Sequence, residues 1–195
     1  LWAVGDWGLD GPKPEDRRHL PLVTRFDGAK WAVLEDVPAT VVQAVWGSGP
    51  DDVWLVGEGP RIVHWNGSTW NTVEPEGSDP FHLTTVWGTS KSDAWAFGNG
   101  LGQKLALHWN GAAWKPVEFP GISGSVSAVW GDAPNHYLAT ANGLYEGHNP
   151  LRCLRFDGSA WSPEGCPATD LRAVRGIPGA GIWAVGQGAV LSFDP

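Results

Sequence analysis

Residues 45–70 read VWGSGPDDVWLVGEGPRIVHWNGSTW, and this stretch decides the fold. It contains three markers, and each recurs along the chain. The first is Val45-Trp46-Gly47, repeated at Val86-Trp87-Gly88 and Val129-Trp130-Gly131, with a fourth copy, Val174-Arg175-Gly176, in which Arg replaces Trp. The spacings are 41, 43 and 45 residues, a period that signals a repeat architecture. The second marker is Trp54-Leu55-Val56-Gly57, matched by Trp95-Ala96-Phe97-Gly98, Tyr137-Leu138-Ala139-Thr140 and Trp183-Ala184-Val185-Gly186, and by Trp2 to Gly5 at the start. The third is an aromatic residue, then Asn/Asp-Gly, then Trp: FDGAKW at 26–31, WNGSTW at 65–70, WNGAAW at 109–114 and FDGSAW at 156–161. Of the 14 tryptophans, 13 fall on a marker and only Trp7 does not.

Each unit reads as four short strands. The first ends in VWG and the second is the WAVG segment. The third and fourth form a hairpin whose Asn-Gly or Asp-Gly signals a tight type I′ turn. SGPDD (48–52), TSKSD (89–93) and DAPN (132–135) have turn compositions and join the first two strands. Four strands per unit of about 43 residues predict an all-β fold, a β-propeller of four-stranded blades. The recurring tryptophans then fill the wedges between blades and are not a row of sugar platforms. The order is three strands, three full units and three strands. This predicts one propeller domain over 1–195, with units near 1–40 (partial), 41–80, 81–122, 123–168 and 169–195 (partial). Five blades with an incomplete junction is the favoured count; a fragment of a larger ring is the alternative.

Composition narrows the function classes. Thirteen Lys and Arg against 21 Asp and Glu give a net charge of −8, which opposes nucleic-acid binding and docking on anionic lipid. No apolar run approaches the length of a membrane-spanning helix. With 27 Gly, 16 Pro and 42% hydrophobic residues, the chain is turn-rich and folded.

The repeat at 45–70 resembles the Trp-rich propeller repeats of secreted bacterial proteins, especially those of myxobacteria. Its hairpin is similar to the Asp-box turn of sialidase-like propellers, although Asn66-Gly67-Ser68-Thr69-Trp70 lacks one spacer before the Gly. Tachylectin-type lectins are similar in architecture. The resemblance implies the fold, and an Asp-box is structural in those propellers, so hydrolysis is not implied.

Cys153 and Cys166 flank the fourth hairpin. Pairing Phe156 with Trp161 places them diagonally on neighbouring strands, close enough for a disulfide, which would put the protein outside the cytoplasm, extracellular, at the cell surface or periplasmic. Neither a metal site nor a cofactor is expected: two thiols do not make four ligands, and the six histidines lack metal spacing. His64 and His108 recur before the third-strand Trp and read as structural.

Function is expected on the rim formed by the loops between second and third strands, because these vary while the hairpins recur. The candidates are Trp7, Arg17, Arg18 and His19 in a long loop from Asp6 to Leu20, then Glu58 and Arg61, Asn99 and Gln103, and Asn142, Glu146 and His148. Arg175, with Arg172 nearby, reads either as a charge facing the channel or as a surface group. Asp51-Asp52 are expected to accept backbone N–H bonds in their turn, and Tyr137 to fill a Trp position in the core. No nucleophile-elbow, zincin or phosphate-loop motif is present. The leading expectation is a non-enzymatic module that binds a glycan or a protein. A glycoside hydrolase or lyase on the same scaffold, and a purely structural module of a larger surface protein, are the rivals.

Overall fold

A computed structural model describes residues 1–9, 18–39, 41–59, 62–76, 81–100, 103–118, 125–142, 153–166 and 171–193. Within these, only the backbone is described for 6–9, 18–20, 81, 99–100, 103–105 and 142. Every regular element among them is a β-strand. Blade one holds β1 (Trp2–Leu9), β2 (Arg18–Phe26) and β3 (Trp31–Leu34). Blade two holds β4 (Val42–Gly49), β5 (Asp52–Gly57), β6 (Ile62–Trp65) and β7 (Trp70–Val73). Blade three holds β8 (Phe81–Ser90), β9 (Asp93–Gly100), β10 (Gln103–Trp109) and β11 (Trp114–Val117). Blade four holds β12 (Ser125–Ala133), β13 (His136–Asn142), β14 (Cys153–Phe156) and β15 (Trp161–Glu164). Blade five holds β16 (Leu171–Ile177), β17 (Gly181–Gly186) and β18 (Ala189–Phe193). Each sheet is an antiparallel meander in sequence order, so the predicted three-four-four-four-three arrangement is the one observed. Among the described residues no helix is long and apolar enough to cross a membrane.

The blades pack consecutively, and each junction owns a core cluster. Strand periodicity explains how. Successive side chains of β5 point to opposite faces. Val53 and Leu55 therefore join the core shared with blade one, and Trp54 and Val56 join the core shared with blade three. In β9, Ala94 and Ala96 face blade two, while Trp95 and Phe97 face blade four. A strand buried on both faces needs no polar alternation, which accounts for the uniformly apolar WAVG marker.

The VWG marker works across junctions. A Cβ built on Gly88 would lie 2.6 Å from the ring of Trp46, and one on Gly176 would lie 2.5 Å from the ring of Trp130. Trp87 Nε1 donates to the Gly131 carbonyl at 2.9 Å. The Trp of one blade thus lies over the Gly of the next. Ser127 Oγ adds a bond to the Leu171 carbonyl at 2.6 Å, and Thr84 Oγ1 one to the Val126 carbonyl at 2.9 Å.

Three expectations need correction. The hairpin loops hold four residues, as the pairing of Phe156 with Trp161 requires, so Asn-Gly and Asp-Gly do not mark a tight type I′ turn here. Phe26 pairs with Trp31, Trp65 with Trp70, Trp109 with Trp114 and Phe156 with Trp161. Asp or Asn caps the loop by accepting two backbone N–H groups, as Asp157 Oδ1 does from Ser159 at 2.8 Å and Ala160 at 3.0 Å. Next, Tyr137 is core but does not occupy the Trp position. Leu138 pairs with Trp130 as Trp54 pairs with Trp46, so Tyr137 faces backward into blade three. Finally, the loop read from Asp6 to Leu20 is shorter at both ends, and residues 10–17 of it lie outside the described residues. β1 and β2 run on as a paired hairpin to Leu9 and Arg18, with Trp7 opposite Leu20.

Candidate functional site

The two rims of the molecule differ in how tightly the sequence fixes them. On one rim the hairpin tips press on the turns between first and second strands. A Cβ on Gly67 would lie 2.9 Å from Asp51, one on Gly111 2.8 Å from Ser92 and one on Gly158 2.7 Å from Asn135. These glycines also hold φ between +90° and +98°, so the marker is explained twice over.

Polar networks lie toward this rim. Asp52 is buried and accepts from Ser48 Oγ, and its other oxygen meets His64 Nε2 at 2.7 Å. His64 stacks on Trp54 with centroids 3.9 Å apart. Blade three repeats the pattern: Asp93 binds Thr89 Oγ1 at 2.5 Å and His108 Nε2 at 2.8 Å. The Tyr137 hydroxyl donates to the same carboxylate at 2.5 Å, bridging blades three and four. Burial raises the Asp93 pKa, but the donors His108, Thr89 and Tyr137 outweigh it and hold the group below its ordinary value. Burial, and then the Asp93 carboxylate, push the Tyr137 phenol up. In each network the carboxylate sits between hydroxyl and imidazole, so the hydroxyl donates to Asp and no base activates it. Tyr137 is likewise unsuited to act as a nucleophile. The expectation for Asp51-Asp52 is corrected: Asp52 takes these side-chain partners, and Asp51 binds Lys91 Nζ of blade three at 3.0 Å. Blade four uses another set, in which His136 Nδ1 meets Asp132 at 2.6 Å and Arg155 Nε donates to Glu164 at 2.9 Å.

The opposite rim carries the predicted variable loops. Here β5 ends at Gly57, where a Cβ would fall 2.0 Å from the Val41 carbonyl oxygen. Only glycine lets the two backbones approach this closely. Glu58 N–H then donates to that carbonyl at 3.3 Å. The same approach recurs at Gly98 against the His82 carbonyl, at 1.8 Å. The chain entering blade two bends over this end of the sheet and leaves an apolar groove of about 560 Å³. Its lining includes Pro38, Ala39, Val41, Val42 and Val56, with Glu58 as its one acidic residue. Glu58 also bridges to His82 of blade three, with Oε1 and Nδ1 3.9 Å apart and both side chains at least half exposed.

Of the predicted rim residues, Glu58 has a described side chain. Asn99 pairs through its backbone with His82, so the structure brings Glu58 and Asn99 to either side of that histidine. Gln103 pairs with Gly100 on the same blade. Arg18 and His19 lie in β2 opposite Leu9 and Gly8, and Asn142 lies opposite Ser125 on blade four. Arg17, Arg61, Glu146 and His148 lie outside the described residues. Sequence reasoning missed the groove because it sought polar loops. The signal was the apolar linker Val37-Pro38-Ala39 and Val41-Val42 before the second VWG.

Cys153 and Cys166 form the expected disulfide, with Cα atoms 5.9 Å apart. Cys153 pairs with Glu164, two residues short of Cys166, as the hairpin register required. Arg175 lies over the Trp87 ring, 5.2 Å from its centroid, and donates to the Val174 carbonyl. Among the described residues no three His, Cys, Asp or Glu side chains gather to hold a metal ion.

No protein-family model and no curated protein matches the chain. Solved structures do match. YCF48 bound to D1 peptide is similar with a TM-score of 0.61 at 16% identity, covering 100% of this chain and 66% of that one. The extracellular domain of BT4673 from B. thetaiotaomicron is similar with a TM-score of 0.61 at 11% identity, covering 90% of this chain and 25% of that one. The chain therefore spans about two thirds of the first and a quarter of the second. At these identities the likeness is one of fold, and that fold is the β-propeller.

Proposed function

We propose that this chain is a non-enzymatic, extracytoplasmic binding module that takes an extended protein segment on its variable rim, at the groove beside Glu58. The observation that carries this reading is the groove itself. It is apolar, open at the surface and bordered by one carboxylate, the composition of a site that accepts an apolar side chain next to a basic one. It sits on the rim whose loops differ from blade to blade, whereas the other rim is occupied by repeating structural contacts. The YCF48 structure, which holds a D1 peptide, supports a peptide over a glycan as ligand of such a scaffold. The Cys153–Cys166 disulfide supports an oxidising compartment.

The test is selection of a displayed peptide library on the purified chain, with Ala39→Trp and Glu58→Lys variants alongside. Enrichment of peptides pairing an apolar with a basic residue is expected. Ala39→Trp, which fills the groove, and Glu58→Lys, which reverses its charge, should each weaken binding at least tenfold. Enrichment that both variants retain, or binding seen only on a glycan array, overturns the reading.

A further inference from the structure

The outer edge of a junction is where the linker between two blades meets the hairpin of the second. At the junction of blades two and three this edge is closed. Trp109 and Trp114 pack on Trp54 with ring centroids 4.8 and 5.4 Å away. Glu76 of the linker donates its N–H to the Trp114 carbonyl at 3.1 Å, and its carboxylate meets Lys115 Nζ at 3.3 Å. Trp114 is fully buried there.

The junction of blades one and two is open at the same edge. Trp70 pairs with Trp65 as Trp114 pairs with Trp109, yet Trp70 is only half-buried. A groove of about 690 Å³ lies beside it, lined by Leu34, Glu35, Asp36, Trp65, Thr69 and Trp70. Both walls are interior stretches of the chain, built on β3 with its following linker and on the hairpin of β6 and β7. The linker brings two carboxylates here. The residue after Trp70, however, is Asn71, where blade three has Lys115 after Trp114. Among the described residues neither Glu35 nor Asp36 has an ion-pair partner, and no Lys or Arg lines the groove. Two indoles and two carboxylates thus border one groove without a cation.

We infer that this outer groove binds an arginine side chain of a partner protein, which supplies from outside the charge that Lys115 supplies at the next junction. A guanidinium suits the lining better than an ammonium. It is planar and weakly hydrated, stacks on indole, and donates two N–H groups to one carboxylate. The same aromatic cluster already holds one. Trp2 meets Trp65 and Trp70 at 6.3 and 5.8 Å, and the Arg25 guanidinium lies over the Trp2 ring, 5.5 Å from its centroid. The net charge of −8 also favours a basic partner. The site is separate from the groove beside Glu58 and does not rest on the reading of that groove, although Pro38 borders both.

NMR titration of the full chain with N-acetylarginine amide tests this, read at the indole N–H signals of Trp65 and Trp70. Both signals should shift saturably, with a dissociation constant in the millimolar range. N-acetylcitrulline amide, which keeps the shape and lacks the charge, should leave them in place. Glu35→Gln combined with Asp36→Asn should weaken binding roughly tenfold. Thr69→Lys should abolish it by placing an ammonium in the groove. That loop position accepts lysine in blade one: the Lys30 N–H donates to Asp27 as the Thr69 N–H does to Asn66, at 2.9 Å in both. Unchanged backbone circular dichroism establishes that the variants fold. Shifts at neither indole, equal shifts with the citrulline analogue, binding that either variant leaves unchanged, or shifts confined to residues around Glu58 overturn the inference.

Discussion

Single residues carry the repeat for distinct physical reasons, and substitutions should separate them. Gly98 permits backbone contact: an added Cβ would lie 1.8 Å from the His82 carbonyl oxygen. Gly98→Ala should cost roughly 2–3 kcal/mol by forcing strands apart. Gly28 has open space around it but φ +111°. Gly28→Ala should cost about 1–2 kcal/mol, through backbone strain alone. Urea denaturation midpoints of the two variants check the order. Asp157 shows the electrostatic side. The Ala160 N–H foremost, then Ser159, hold its pKa at about 2 against an ordinary 3.8. A depressed carboxylate stabilises the fold above its unfolded value, and that contribution disappears as pH falls from near 3.8 through about 2. A carboxyl NMR titration should place the Asp157 midpoint near 2. Asp157→Asn should keep the turn, as Asn66 and Asn110 already do, and lose this pH dependence. The sequence showed that Asn or Asp precedes Gly, but loop length belonged to the Trp pairing on either side. That is why Asn-Gly or Asp-Gly alone suggested a type I′ turn, while the Phe156–Trp161 pairing gave the four-residue loop that is observed.

At the scale of elements, the junction between blades three and four depends on one shared carboxylate. Tyr137→Phe removes a donor to Asp93 but leaves Thr89 and His108 in place. The loss should be about 1–1.5 kcal/mol. Asp93 sits below its ordinary pKa, so its contribution is present above the unfolded carboxylate range and falls away at lower pH. The variant should therefore lose less stability on acidification than wild type, measured by thermal melts across acid pH. The disulfide spans 13 residues and ties the start of β14 to the end of the same hairpin. Reduction should cost about 2–3 kcal/mol by releasing the unfolded chain. Strand existence and order were legible because VWG, WAVG and the hairpin each have a fixed spacing. The position of Tyr137 was misread because an aromatic was matched to an aromatic: Tyr137 follows Trp130 by seven residues, whereas Trp54 follows Trp46 and Trp95 follows Trp87 by eight, and the eighth residue in blade four is Leu138. A slip of one residue moves a side chain to the other face of the sheet.

Over the whole molecule, stability is a chain of nearest-neighbour junctions. Blades two to four are covered on both faces, while blades one and five each expose half a junction. Hydrogen exchange should therefore find β1–β3 and β16–β18 opening at lower free energy than β5, β9 and β13. Uniform protection across all five sheets would contradict this. The fold was readable from the sequence because every unit repeats the same solution. The groove was not, since Pro38, Ala39 and Val41 in its lining belong to the linker before blade two, which carries no repeat marker. A repeat advertises itself by recurrence, and a linker between markers has no such signal.

The aromatic contacts at the junctions also give the protein an optical signature. Trp54 and Trp109 have ring centroids 4.8 Å apart with planes inclined at 54°. Two indoles this close and tilted share their electronic excitation, and coupled, non-parallel transition dipoles produce a paired positive and negative band in circular dichroism. Because the coupled rings belong to different blades, the couplet reports blade-to-blade assembly separately from strand content. A chain with intact sheets but loosened junctions would keep its backbone spectrum and lose these bands.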